Sequence, residues 1–254
     1  TQELAAYWKN NSMITLSASG NYATGTAIAI HNNDVYVSGH EQQAPGWQYQ
    51  AKYWKNGIAT NLGNAANTSY ANSIFIASSD VYVAGCEGNG GSLNIAKYWK
   101  NGSATNLTNG SNWANAYAIS VIGNDVYVAG EENQGSTRTA KYWKNGVPVV
   151  LGDGIKHSLA TSIIIAGNDV YVAGSEYSSG PSKAVLWKNG VRMSLAEAND
   201  GSSGNAIFFI GNDVYVAGSV YESGNRAAYW KNGLRNIADT SSVYQSEVNG
   251  VFVK

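Results

Sequence analysis

Cysteine, proline and charge are what this chain has least of. A single cysteine, Cys86, stands among 254 residues, so no disulfide can form within the chain. Three prolines leave almost every backbone N–H free to enter a hydrogen-bond ladder. The 17 acidic side chains nearly cancel the 16 basic ones, and no basic run occurs. The electrostatic footprint expected of a nucleic-acid or anionic-membrane partner is therefore missing. No stretch approaches the ~20 consecutive apolar residues of a membrane span. A signal peptide is absent too, as it would be from a mature exported chain. Apolar residues never recur with a 3.6-residue period, which excludes helical solenoids. Nucleophile elbows, His-Glu-x-x-His, Cys-x-x-Cys and phosphate loops are all missing. The sequence thus implies no metal, no cofactor and no catalytic set.

What is present is repetition. The unit Ala51-Lys52-Tyr53-Trp54-Lys55-Asn56-Gly57 has near-copies around Trp8, Trp99, Trp143, Trp187 and Trp230. A second unit, Asn-Asp-Val-Tyr-Val-Ala-Gly, alternates with it at Asp34, Asp80, Asp125, Asp169 and Asp213, with a weaker sixth version at Asn249–Val253. From each tryptophan-unit glycine to the next valine-unit aspartate is 23 positions, as from Gly57 to Asp80. The return distance shrinks along the chain from 23 to 20.

Each repeat reads as four strands. Strand A is Ala27–Ile30 and its echoes; strand B carries the Val-Tyr-Val run. Strand C carries the Tyr-Trp pair, and strand D is the short piece ending at Leu16, Leu62, Leu107, Leu151, Leu195 or Ile237. Asn56-Gly57 and its copies predict type I′ hairpins between C and D, because both positions need positive φ. The Gly-Asn pairs at Gly123, Gly167 and Gly211 predict tight turns between A and B. Alternation puts apolar side chains on both faces of every sheet, so each sheet needs a neighbour on each side. The period of roughly 44 residues suits four-stranded propeller blades. The fold class expected is all-β: one domain over 1–254 forming a six-bladed β-propeller. Its blades fall at about 23–63, 70–108, 115–152, 159–196 and 204–238, with a composite blade from 1–18 and 241–254 closing the ring.

The Tyr-Trp-Lys-Asn-Gly and Asn-Asp-Val-Tyr-Val-Ala-Gly units resemble repeats of bacterial secreted or surface-associated β-propeller proteins. More distantly the chain is similar to kelch-type blades, although the kelch double glycine is missing. The resemblance implies a fold and a secreted or surface location; it assigns no functional residue.

The turn assignment sends the tight A–B and C–D hairpins to one face and the variable B–C loops and D–A connections to the other, where function tends to sit. Candidate ligand-binding residues there are Trp47, in the Gln42–Gln50 loop, with Tyr22, Tyr70, Trp113 and His157 in D–A connections and Tyr117 entering strand A. Aromatic faces flanked by amides and hydroxyls suit a sugar. Their bland role is to cap the blade tops. A second constellation, Thr26, Asn72, Tyr117, Thr161 and Asn205, occupies equivalent positions in five blades and is expected to line a central channel. Glu41, Glu87, Glu132 and Glu176 recur two residues past the strand-B glycine and, opposite Lys52, Lys97 and Lys141, read as cross-strand ion pairs rather than acid–base catalysts. The repeated aspartate reads as holding its own turn, and the tryptophan-unit lysines as solvated. Cys86, where other repeats have His40, Glu131, Ser175 and Ser219, reads as an inert substitution. The function expected is a monomeric, non-enzymatic extracellular module recognising a glycan or a protein. The alternatives are a polysaccharide hydrolase or lyase, for which Glu41, His40 and His157 are the weak candidates, and a purely architectural or engineered propeller.

Overall fold

The computed structural model describes residues 3–17, 21–42, 46–196, 201–221, 224–238 and Ser246. All their regular structure is strand, and among them no helix is long and apolar enough to cross a membrane. A two-stranded sheet, β1 (Ala6–Lys9) with β2 (Ser12–Thr15), comes first. Five four-stranded sheets follow, each in the order A-B-C-D. The first holds β3 (Ala23–His31), β4 (Asp34–Gln42), β5 (Tyr49–Lys55) and β6 (Ile58–Asn61). The second holds β7 (Ser69–Ala77), β8 (Asp80–Gly88), β9 (Asn94–Lys100) and β10 (Ser103–Asn106). The third holds β11 (Ala114–Ile122), β12 (Asp125–Gln134), β13 (Thr137–Lys144) and β14 (Val147–Val150). The fourth holds β15 (His157–Ala166), β16 (Asp169–Tyr177), β17 (Lys183–Lys188) and β18 (Val191–Ser194). The fifth holds β19 (Gly201–Ile210), β20 (Asp213–Tyr221), β21 (Asn225–Lys231) and β22 (Leu234–Ile237).

The hairpins form as their residues dictate. Asn56 and Gly57 take φ of 49° and 86°, the left-handed pair of a type I′ turn, and the four later Asn-Gly pairs repeat it. The turn is also bolted to its neighbour. Asn56 Oδ1 accepts from the Val35 N–H at 2.9 Å, and Asn56 Nδ2 donates to Asp34 Oδ1 at 2.7 Å. Lys55 Nζ meets the other Asp34 oxygen at 2.8 Å and lies 5.2 Å from the centre of the Tyr36 ring. The same set recurs at Asp80, Asp169 and Asp213. The aspartate thus holds the adjacent C–D hairpin rather than its own turn, and the lysine is paired rather than simply solvated. Both corrections have one cause: A–B and C–D turns share an end of the sheet, so residues 21 apart in sequence become neighbours.

Strand A is longer than Ala27–Ile30. It begins at Ala23 and keeps pairing with β4 across a register shift between Gly25 and Ala27; β7, β15 and β19 shift at the same place. The extra residue is a β-bulge, which breaks the alternation that marks a strand in sequence. The strand-B glycine sits against this bulge. A Cβ on Gly174 would lie 1.8 Å from the Leu159 carbonyl oxygen and 3.0 Å from Cζ3 of Trp187. Close approach therefore explains why the valine unit ends in glycine.

The chain clusters into two compact units, Thr1–Val128 with Asn145–Val147, and Ala129–Lys144 with Pro148–Lys254. In the first, Tyr36, Ala51 and Leu62 of one sheet cluster with Ile74, Val81, Val83 and Trp99 of the next. Val35, Val37 and Trp54, on the opposite face, cluster with Ala5 and Leu16 beside β1–β2. In the second, Ala173, Ala184 and Leu186 meet Ile207, Val216 and Trp230. The tyrosine face of one sheet thus covers the valine–tryptophan face of its successor. Trp54, Trp99, Trp143, Trp187 and Trp230 are each at most 1% exposed. Ser246 repeats the seat of Ser202: its Oγ accepts from Ala227 N at 3.0 Å, and its N–H donates to Asn225 O at 2.8 Å. The expected strand at Asn249–Val253, with most of the composite blade's 241–254 part, lies outside the described residues.

Candidate functional site

The B–C loops and D–A connections do meet, at the end opposite the tight turns. Gln48 Nε2 donates to Ala66 O at 3.1 Å, and Asn89 Nδ2 to Gly110 O at 3.2 Å. Of the candidate aromatics, Trp47 stands in its loop with 86% of its surface exposed. Tyr22 and Trp113 immediately precede β3 and β11, the first exposed and the second half-buried. Tyr70 and His157 belong to strands rather than connections, because strand A starts early. Tyr70 packs on His40, ring centres 4.9 Å apart, and His40 packs edge-on against Tyr49 at 5.2 Å. Burial pushes the Tyr70 phenol up and the His40 imidazole down, so both favour their neutral forms. His157 stacks on Tyr177 at 4.8 Å, and its Nδ1 accepts from the Arg138 N–H at 3.1 Å. Tyr117 lies half-buried in the middle of β11.

Two clefts on this end have the same construction, and sequence reading did not find them. In the first unit a cleft of about 230 Å³ is lined by Gln48, Asn67, Thr68, Ser92 and Asn94 together with loop glycines. Trp47 adjoins it through the chain. In the second unit a cleft of about 260 Å³ is lined by Ser182, Ser202, Ser203, Tyr221 and Asn225. Strand pairing makes the two equivalent: Asn94 faces Gly88, and Asn225 faces Tyr221, at the ends of strands B and C. Each cleft falls between the start of strand A and the B–C loops. Side-chain amides and hydroxyls dominate the surface of the first cleft, whereas the second exposes more apolar than polar surface, and Tyr221 in it is 62% exposed. The one available signal was the asparagine opening strand C in both repeats, which looks like ordinary loop composition.

The bulge residues hold sheet to sheet. Thr26 Oγ1 donates to Ala71 O at 2.7 Å, Asn72 Nδ2 to Ala116 O at 2.8 Å and Thr161 Oγ1 to Gly204 O at 2.6 Å. Asn205 sits at the corresponding bulge of β19. The glutamates are matched with cations. Lys52 bonds Glu41, Lys97 meets Glu87 at 3.1 Å, and Lys141 meets Glu132 at 2.6 Å. The lysines are not directly opposite, however. Glu41 pairs across the ladder with Gln50, and Lys52 stands two residues further on, in diagonal reach. Glu176 uses Arg192 of strand D instead, at 2.8 Å. Adjacent on β4, His40 and Glu41 point to opposite faces and cannot act as one acid–base pair. Cys86 is buried, and burial followed by the Glu87 charge pushes its thiol up to about 12, which leaves it protonated and unreactive. No group of three His, Cys, Asp or Glu side chains among the described residues could hold a metal ion.

Compared with known protein families and with curated proteins, the chain matches none. Among solved structures it is similar to an α-L-arabinofuranosidase from Clostridium thermocellum. The TM-score is 0.42 and the identity 14%, over 86% of this chain and 94% of that one. At that distance no site or activity carries across.

Proposed function

We propose that the chain is a non-enzymatic extracellular binding module whose sheets are the blades of a β-propeller, and that it takes a glycan at the B–C/D–A end. The observation that carries the reading is the pair of equivalent clefts, the first lined mainly by amides and hydroxyls next in sequence to the exposed Trp47, the second by serines, Asn225 and the exposed ring of Tyr221. A sugar presents hydroxyls that amides bind in both senses, donor and acceptor, and C–H faces that stack on indole or phenol. A site repeated along the chain would bind a branched or polymeric saccharide more tightly than either cleft alone. The acidic side chains reinforce the choice of binding over hydrolysis, because Glu41, Glu87, Glu132 and Glu176 each hold a cation.

A glycan array screened with the whole protein, and again with Trp47→Ala, Asn94→Ala and Tyr221→Ala, tests this. The expected outcome is a saccharide signal that falls about tenfold or more in the variants, the loss of one good contact. A blank array, or a signal indifferent to all three substitutions, sinks the glycan reading.

A further inference from the structure

Eight asparagines of the chain are followed by glycine, and seven of these pairs lie among the described residues. The pairing matters because a glycine amide nitrogen, with no Cβ beside it, can reach the carbonyl carbon of the asparagine side chain before it. The structure divides the seven into two kinds. Asn56, Asn101, Asn145, Asn189 and Asn232 turn the C–D hairpins, and each spreads its side chain across the neighbouring A–B turn. Oδ1 accepts from a valine N–H at 2.8–2.9 Å, and Nδ2 donates to an aspartate at 2.7–2.8 Å, both partners 18–22 residues away.

Asn89 and Asn109, at the loop end, are built differently. Oδ1 of each accepts from the N–H two residues on, of Gly91 and of Ser111, both at 2.9 Å. Such an Asx turn folds the side chain over its own chain and sets Cγ beside the nitrogen of the intervening Gly90 or Gly110. All seven asparagines are exposed, so access of water does not separate the two kinds. Two further loop residues show what else is needed. Asn64 makes the same turn, to the Ala66 N–H at 3.0 Å, but the next nitrogen belongs to Ala65, whose methyl group stands in the way. Asp153 makes it before Gly154, accepting from the Lys156 and Ile155 N–H groups at 2.9 Å. Those two donors, Lys156 first, hold its carboxyl below the usual carboxylate range, and an ionised carboxylate resists attack.

We propose that Asn89 and Asn109 are sites of spontaneous deamidation, a modification at the first cleft that the hairpin asparagines escape. The Gly90 nitrogen attacks Asn89 Cγ, the bond from Cγ to Nδ2 breaks, and ammonia leaves carrying the glycine amide proton. Water then opens either carbonyl–nitrogen bond of the succinimide that remains, giving aspartate or isoaspartate with no change of oxidation state. Gly110 and Asn109 react in the same way. Gly90 and Gly91 belong to the lining of the first cleft, whose side chains are uncharged, so the reaction places a negative charge at its rim. It also unties two connections, because the Asn89 amide that donates to Gly110 O at 3.2 Å becomes a carboxylate facing a carbonyl oxygen. In a hairpin the same product would set a second carboxylate against the aspartate already there, which opposes it.

The test is incubation of the whole protein in mildly alkaline buffer, folded and in guanidinium chloride, followed by digestion. Fragmentation mass spectrometry then locates aspartate and isoaspartate residue by residue. In the folded protein Asn89 and Asn109 should convert about tenfold or more faster than each hairpin asparagine. In guanidinium the seven rates should converge, since the dipeptide is the same. Hairpin asparagines that convert as fast as the loop pair, or a difference that persists in guanidinium, overturn the proposal. The second readout is hydrogen exchange of Asn89→Asp, which carries the new charge from the start. Exchange over 109–113 should rise, and unchanged exchange there overturns the untying of the connections. Neither readout depends on what the cleft binds.

Discussion

Gly174 and Gly190 are one residue type under opposite constraints. Gly190 takes φ of +81° with nothing within 4 Å of an added Cβ, so an alanine there meets only backbone strain. Gly174 has an ordinary φ, but its Cβ would lie 1.8 Å from a carbonyl oxygen of the bulged strand. Gly190→Ala should therefore destabilise by about 1 kcal/mol, and Gly174→Ala by about 3 kcal/mol or more as β15 and β16 are forced apart. Chemical denaturation of the two variants checks the order; equal losses would show that the bulge yields. Both glycines are visible in the repeat. The Asn-Gly signal names its own turn, whereas the Val-Ala-Gly glycine depends on a bulge that no local pattern announces.

At the scale of the strand, the Glu–Lys diagonals are paired charges largely withdrawn from water. The side chains of Lys97 and Glu87 keep 11% and 7% of their surface. Lys97→Met leaves a carboxylate without its counter-charge and should cost about 3 kcal/mol. Adding Glu87→Gln removes the orphaned charge, so the double variant should be more stable than Lys97→Met alone. Urea unfolding of the cycle tests this, and strictly additive losses would mean the two side chains do not act as a pair. The pairing was legible as a repeated Glu and a repeated Lys, but the two-residue offset was not, because register is decided by the bulge and the hairpins together.

At the scale of the whole molecule, one small network is used over and over. The lysine first and the asparagine second hold Asp34, Asp80, Asp169 and Asp213 below the usual carboxylate range. A carboxylate whose pKa falls on folding contributes stability above its unfolded value and loses it as pH drops through the folded one. Thermal stability should accordingly hold level from pH 7 to about 5 and decline below about 4. Replacing the four aspartates with asparagine should flatten that decline. Melting curves across this range decide it: an unchanged acid limb in the fourfold variant would place the acid sensitivity elsewhere. The partner lysines are shifted upward by the same aspartates, so their contribution persists through neutral pH and fades only above the ordinary lysine range.

The sequence by itself determined the strand content, the hairpin turns and the order A-B-C-D, because type I′ turns and period-two alternation are local and each repeat states them again. It also located the end of the sheets where the loops vary. Tertiary structure alone decided which residues line the two clefts, because Gln48 and Asn67 come from two different connections and Asn94 from the start of a strand. It alone turned Thr26, Asn72 and Thr161 into ties between sheets, since a bulge aims each toward a neighbouring carbonyl. And it alone separated Trp8 from its five twins: the unit is the same, but each of those five indoles has a B strand beside it, and among the described residues Trp8 has none.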